Sequence, residues 1–154
     1  MGLLLRGVAA GAAGTTALNT ATYLDMLGRA RPAGTSPEET VRRLVERRDP
    51  TLLGRDEDAA GNRRSALGAL MGIATGTLTG AVLGAVRPRL GRNGFAAAAL
   101  LAAVLANAGS VLPMWALGVS DPRTWSAASW VSDALPHLAY GLVTAAALEP
   151  GEAR

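Results

Sequence analysis

The 154-residue chain contains no cysteine, which excludes disulfides and thiolate metal sites. It also has no lysine: all fifteen basic residues are arginine, and there is a single histidine. Aromatic residues make up only 4% of the chain against 49% hydrophobic residues, which would leave a thin core for a water-soluble domain. Charge is missing from two long stretches, Ser65 to Val86 and Gly94 to Val119, of 22 and 26 residues. A helix needs about 20 apolar residues to cross the hydrocarbon of a bilayer. Two further stretches, residues 7–27 and 126–148, carry one charge each, Asp25 and Asp133.

The sequence therefore predicts an all-α fold, an integral membrane four-helix bundle running up-down-up-down. Its spans fall at about 7–27, 65–86, 94–118 and 126–148, within one membrane domain over 1–154. The first and last spans are weakly hydrophobic and need protein neighbours. The N-terminal stretch lacks a compact Leu-rich core followed by a small-x-small site, so a cleaved signal is not expected. Arg6 stands where myristoylation would want Ser or Thr.

Residues 28–64 form the one long polar segment. Within "RARPAGTSPEETVRRLVERRDP" the expected helix start is Ser36 as N-cap, Pro37 at the first helical position and Glu39 closing a capping box. Val41, Leu44 and Val45 share one face and arginines surround the rest, which describes a short amphipathic helix on or over a membrane surface. "TLLGRDEDAAGNRR" then reads as a loop into the second span. The later loops, "RPRLGRNG" and "GVSDPRT", are short, so neighbouring spans alternate in direction. The first and third loops hold ten arginines, and the N-terminus, second loop and C-terminus hold five. That count puts the long loop in the cytoplasm, although the second loop is denser, with three arginines and no acid. Trp115, Trp125, Trp130 and Tyr23 stand at one level as expected interface anchors.

Glycine occupies Gly68, Gly72, Gly76, Gly80 and Gly84, every fourth residue of the second span. Each costs a solvated helix about 1 kcal/mol relative to alanine, whereas in lipid small residues let backbones touch. This is the pattern of a glycine zipper. A four-residue step turns through about 400°, so the groove drifts by about 40° per rung. The lower rungs, Gly68 to Gly76, are expected to meet one helix, and the upper rungs, Gly76 to Gly84, another helix or another subunit. The first span carries a matching groove of Gly7, Gly11 and Gly14. Residues 69–84 and 134–149 agree at seven of sixteen positions, the trace of a possible duplication of two helical hairpins. In that register Asp133 and His137 replace Gly68 and Gly72.

Polar side chains inside spans are the pointers to function. The last span has Ser126, Ser129, Asp133, His137, Tyr140 and Thr144 on one helical face. The third span offers Asn107 and Ser110, and the first offers Thr15, Asn19, Thr22 and Asp25. Asp133, His137, Asn19, Asn107, Tyr140 and Asp25 form a candidate polar pore or proton site, Asp133 and His137 being an i,i+4 pair able to share a proton. The alternative is a satisfied pair that locks helices together. Pro113 and Pro136 each free a helical carbonyl nearby. A metal would need a third ligand, for which Asp25 is the sole candidate, so no metal and no cofactor are expected. No catalytic triad, phosphate loop or nucleic-acid motif is present, and an enzymatic role is not favoured.

The segments "GVAAGAAGTTALN", "RPAGTSPEETVRRL" and "WVSDALPHLAYGLV" resemble small four-helix membrane proteins of bacteria. They are similar to the YagU-like inner-membrane proteins, in which a late His-Leu-x-x-Gly segment follows Gly-rich spans. The resemblance implies a multi-pass protein of the bacterial inner (plasma) membrane with no particular activity. The expected partners are the lipid bilayer and either a second copy or another membrane protein. The expected role is a structural or interaction subunit, with a small proton-coupled transporter or channel as the alternative.

Overall fold

The computed structural model describes residues 2–49, 51–91 and 94–149. Runs of alanine, leucine and glycine, with charge gathered at their ends, fold there into five α-helices and no strand. They are α1 (Leu3–Arg29), α2 (Ser36–Glu46), α3 (Glu57–Val86), α4 (Phe95–Ala116) and α5 (Ala127–Ala147). A short 3₁₀ turn, Arg87–Leu90, follows α3, and another, Pro122–Thr124, precedes α5.

Two helix starts differ from the expectation. α3 begins at Glu57 rather than Ser65, because the Asp56 side chain accepts from the Ala59 N–H at 2.8 Å and Glu57 and Asp58 fill the first turn. Much of the expected loop is therefore helix. At α2 the N-cap is Thr35, with no side-chain cap bond, and Ser36 is already helical. Glu39 does not close a capping box. It accepts from Arg42 Nε at 2.7 Å and Arg43 Nε at 3.0 Å, since ionised donors outcompete a neutral N–H.

α1 runs antiparallel to α3, as Gly7 lies against Gly80 and Gly11 against Gly76. It also runs antiparallel to α5, with Gly14 against Tyr140 and Thr144, and Arg29 Nη1 donating to Ser132 Oγ at 2.9 Å. α4 and α5 pair in the same sense, Gly141 resting on Ala99 and Ala103. The order around the assembly is thus α3, α1, α5, α4, and the α3–α4 seam is thinner than the other three. Tyr140 crosses the centre, wholly buried, and its hydroxyl donates to the Gly76 carbonyl at 2.6 Å. α2 lies over α3 with Pro37 against Gly68.

The glycine rungs divide between two helices as expected, except that Gly72 meets neither. Gly76, Gly80 and Gly84 all face α1, Gly68 faces α2, and Gly72 has nothing within 4 Å of where a Cβ would stand. A Cβ on Gly80 would come 2.5 Å from Gly11 Cα, and one on Gly84 2.6 Å from the Leu3 carbonyl oxygen. The drift of the groove explains the split: α1 follows three rungs, and the fourth has turned away.

Side-chain size is inverted relative to a water-soluble protein. Among the described residues, eight of the fourteen buried apolar side chains are alanine, while Leu70, Ile73, Leu78, Leu100, Leu112 and Leu135 stand exposed. Two stretches, Glu57–Leu90 and Phe95–Ala116, are long and apolar enough to cross a membrane. α1 and α5, of 27 and 21 residues, have the length but are diluted by Thr, Asn, Ser, Asp and His.

Candidate functional site

The polar residues of the last two helices meet at one place. Pairing α4 antiparallel to α5 sets Asn107 and Ser110 opposite Asp133 and His137. Asn107 Nδ2 donates to Asp133 Oδ2. His137 Nδ1–H donates to the Asp133 carbonyl oxygen at 2.7 Å, one turn back on its own helix, and the same nitrogen lies 3.8 Å from Asp133 Oδ1. The Nδ1 proton therefore belongs to a helical carbonyl, which orients the ring. Nε2 then faces Ser110 Oγ at 3.4 Å, while Ser110 donates to the Asn107 carbonyl at 2.9 Å. Both histidine nitrogens thus have polar neighbours, and the side chains of His137 and Asp133 are only 12% and 21% exposed.

Chemically the group holds one carboxylate, one imidazole, one amide and one hydroxyl. The imidazole and the carboxylate do not bond each other directly, since Nδ1 is taken by the Asp133 carbonyl and Oδ1 stands 3.8 Å away. The Ser110 hydroxyl beside Nε2 gives its proton to the Asn107 carbonyl rather than to the imidazole. Among the described residues, no three of His, Asp and Glu stand close enough to hold a metal ion.

The other candidate residues lie elsewhere. Asn19 is exposed on α1 and has no hydrogen-bond partner among the described residues. Asp25 pairs with Arg31 Nε at 2.6 Å and Arg29 Nη1 at 3.4 Å at the end of α1. Thr15 and Thr22 return their hydroxyls to the Gly11 and Leu18 carbonyls of their own helix. Tyr140 is committed to Gly76, and the buried Thr144 Oγ1 beside it has no partner among the described residues. The structure therefore joins Asn107, Asp133, His137 and Ser110, and separates Asn19, Asp25 and Tyr140 from them. The threonines and Asn19 share a helical stripe of α1, but the Thr15 and Thr22 hydroxyls bond their own helix and Asn19 faces outward.

At the level of the third loop, Trp125 and Trp130 rings lie 4.9 Å apart, and Trp125 Nε1 donates to Ser120 Oγ at 2.7 Å. Arg123 sits over Trp115 at 5.7 Å, and its ion pair with Asp121 holds that carboxyl below the usual carboxylate range. At the opposite end Arg87 pairs with Glu149 at 2.6 Å, a contact 62 residues apart that no local pattern announces.

No protein-family model, curated protein or solved structure matches the chain.

Proposed function

We propose that this chain is a four-span integral protein of the bacterial inner membrane that serves as a small structural or interaction subunit. The observation that carries the reading is the inverted packing: alanine and glycine inside, leucine and isoleucine outside. In water, exposed apolar surface on that scale would drive aggregation. In lipid it faces a matching solvent, and helices then associate through small residues, as a glycine zipper does. Direct support from length and composition reaches two helices, α3 and α4. α1 and α5 join them in the membrane through contacts with those neighbours. The Trp115–Trp130 level suits one interface and the Arg87 turn the other.

The test of the subunit role follows from the rungs. Gly76, Gly80 and Gly84 are consumed within the chain, so only Gly72 remains open to a second copy or another membrane helix. Gly72→Leu should leave the protomer folded, since Leu is the better helix former by about 0.8 kcal/mol. It should also dissociate the assembly, read by native mass spectrometry from nanodiscs. Unchanged stoichiometry would remove the subunit role. Monodisperse protein in plain buffer without detergent would remove the membrane assignment itself.

A second reading, a small proton-coupled transporter or channel, is favoured by one observation: an ionisable Asp133–His137 pair sheltered between apolar helices. It expects Asp133→Asn to abolish proton flux into liposomes while stoichiometry stays the same. A chain that passes no protons in liposomes excludes it.

A further inference from the structure

At the end of the assembly where α1 begins and the Arg87–Leu90 turn follows α3, the chain lines an open recess of about 290 Å³. Its walls are apolar, formed by Leu3, Pro88 and Leu148, and Arg6 and Arg87 line it as well. Gly84 also lines it, and a side chain at that position would run into the backbone of α1. Arg87 is held stiffly: its side chain is 12% exposed, Nη1 donates to the Gly91 carbonyl at 2.9 Å, and Nη2 pairs with Glu149 at 2.6 Å. Its Nε is buried and has no acceptor among the described residues. A third source of positive potential adds to the two guanidiniums. α1 starts at Leu3, its N-cap Gly2 provides no side-chain cap, and its first turn has no acidic residue, so the N–H groups of that turn stay uncapped. Glu149 offsets one of the positive charges, and the balance of the recess stays positive.

We propose that this recess binds a phosphate group presented by an anionic phospholipid. Phosphate oxygens match a guanidinium in geometry and can accept from Arg6 and from a helix start together, while the fixed charge of Arg87 adds attraction. The apolar walls argue for the lipid source, because Leu3, Pro88 and Leu148 suit the glycerol and upper acyl carbons. The inference rests on the membrane reading, which places this end, with Arg6, Arg87 and Arg89, at headgroup level.

The experiment places the chain in nanodiscs of mixed phosphatidylglycerol and phosphatidylcholine and counts the lipid retained by native mass spectrometry. Phosphatidylglycerol should be retained selectively. Arg6→Gln, a change at a half-buried residue, should lower that retention about tenfold, the loss of one charge-assisted bond. Arg89→Gln, an exposed neighbour outside the recess, should leave it unchanged. Equal retention of both lipids, or an Arg6→Gln chain that retains as much as the parent, overturns the proposal. A parallel arm titrates delipidated protein with inorganic phosphate. Binding there as tight as that of the lipid, with the same Arg6 dependence, would overturn the lipid source in favour of a free anion. Failure of the membrane reading looks different: the chain would elute apart from the nanodiscs.

Discussion

The pair α1–α3 and the pair α4–α5 solve one problem in opposite ways. The first removes side chains. Gly7 and Gly11 meet Gly76, Gly80 and Gly84 so closely that backbone touches backbone, and the hydroxyls of Thr15, Thr16, Thr20, Thr22 and Thr77 return to their own helices. The second keeps side chains and uses them. Ala99 and Ala103 receive Gly141, and Asn107, Ser110, Asp133 and His137 then form a polar clasp across the seam. The contrast implies different weaknesses. The first pair has no room for volume and, among the described residues, no side-chain hydrogen bond across its own seam. The second loses an acceptor's partner whenever one member is removed, yet it can be replaced as a set.

The sharpest break of that comparison is volume in the first pair. Gly80→Leu should be the most damaging change, because the new side chain meets the Gly7 and Gly11 backbone, which cannot give way. A loss of more than about 3 kcal/mol is expected, at or above the upper end of overpacking effects. It would be read as collapse of the thermal transition in detergent. Gly72→Leu, one helix face away, should shift that transition upward or not at all. Equal damage from both would show that the close approach is not what binds α1 to α3.

The second break is polar. Asn107→Leu leaves the Asp133 carboxylate without its amide donor in a sheltered seam, at a cost of about 1–3 kcal/mol. Combining it with Asp133→Leu should recover most of the loss, since replacing a buried polar pair by apolar residues of similar volume is often neutral. A double-mutant cycle checks this, and simple additivity would deny the clasp. Tyr140→Phe comes next. It leaves the Gly76 carbonyl without the bond that joins the two pairs, and about 1 kcal/mol should be lost, seen as a lower unfolding midpoint.

Much of this arrangement could be read along the chain, and the limits are physical. Charge-free runs located α3 and α4, and glycine every fourth residue identified the helix that α1 would approach. The i,i+4 relation put Asp133 beside His137. Facing across the seam was not legible. Asn19 and Asn107 sit at similar depths, yet only Asn107 finds Asp133, because helix rotation about its axis is decided by neighbours rather than by periodicity. Gly14 likewise turned to α5 rather than to α3, one helical step past Gly11. The Asp56 cap lies inside "TLLGRDEDAAGNRR", whose polar composition reads as loop although Asp56, Glu57 and Asp58 start the helix. The Arg87–Glu149 pair had no local signal at all.

α2 belongs to neither pair and tests the comparison most gently, because the groups that hold it lie at an aqueous surface. The guanidiniums of Arg42 and then Arg43 draw the Glu39 carboxyl from its ordinary 4.5 down to about 2. A depressed carboxylate contributes stability above its unfolded value and loses it as pH falls through the folded one, so the contribution fades between about 4.5 and about 2. Glu39 remains partly exposed, and solvent screening limits the contribution to roughly 0.3–0.5 kcal/mol. Acidification across that window should fray α2 itself, because both partners of Glu39 lie on that helix, raising hydrogen exchange over Ser36–Glu46 while exchange in α1, α3, α4 and α5 stays slow. Glu39→Gln should flatten the acid response of α2 and leave both helix pairs untouched. If acid instead released α1 from α3 in the same window, the claim that their contact depends on backbone shape and on no charge would fail, since no ionisable group lies between Gly7, Gly11, Gly76 and Gly80 to answer to pH.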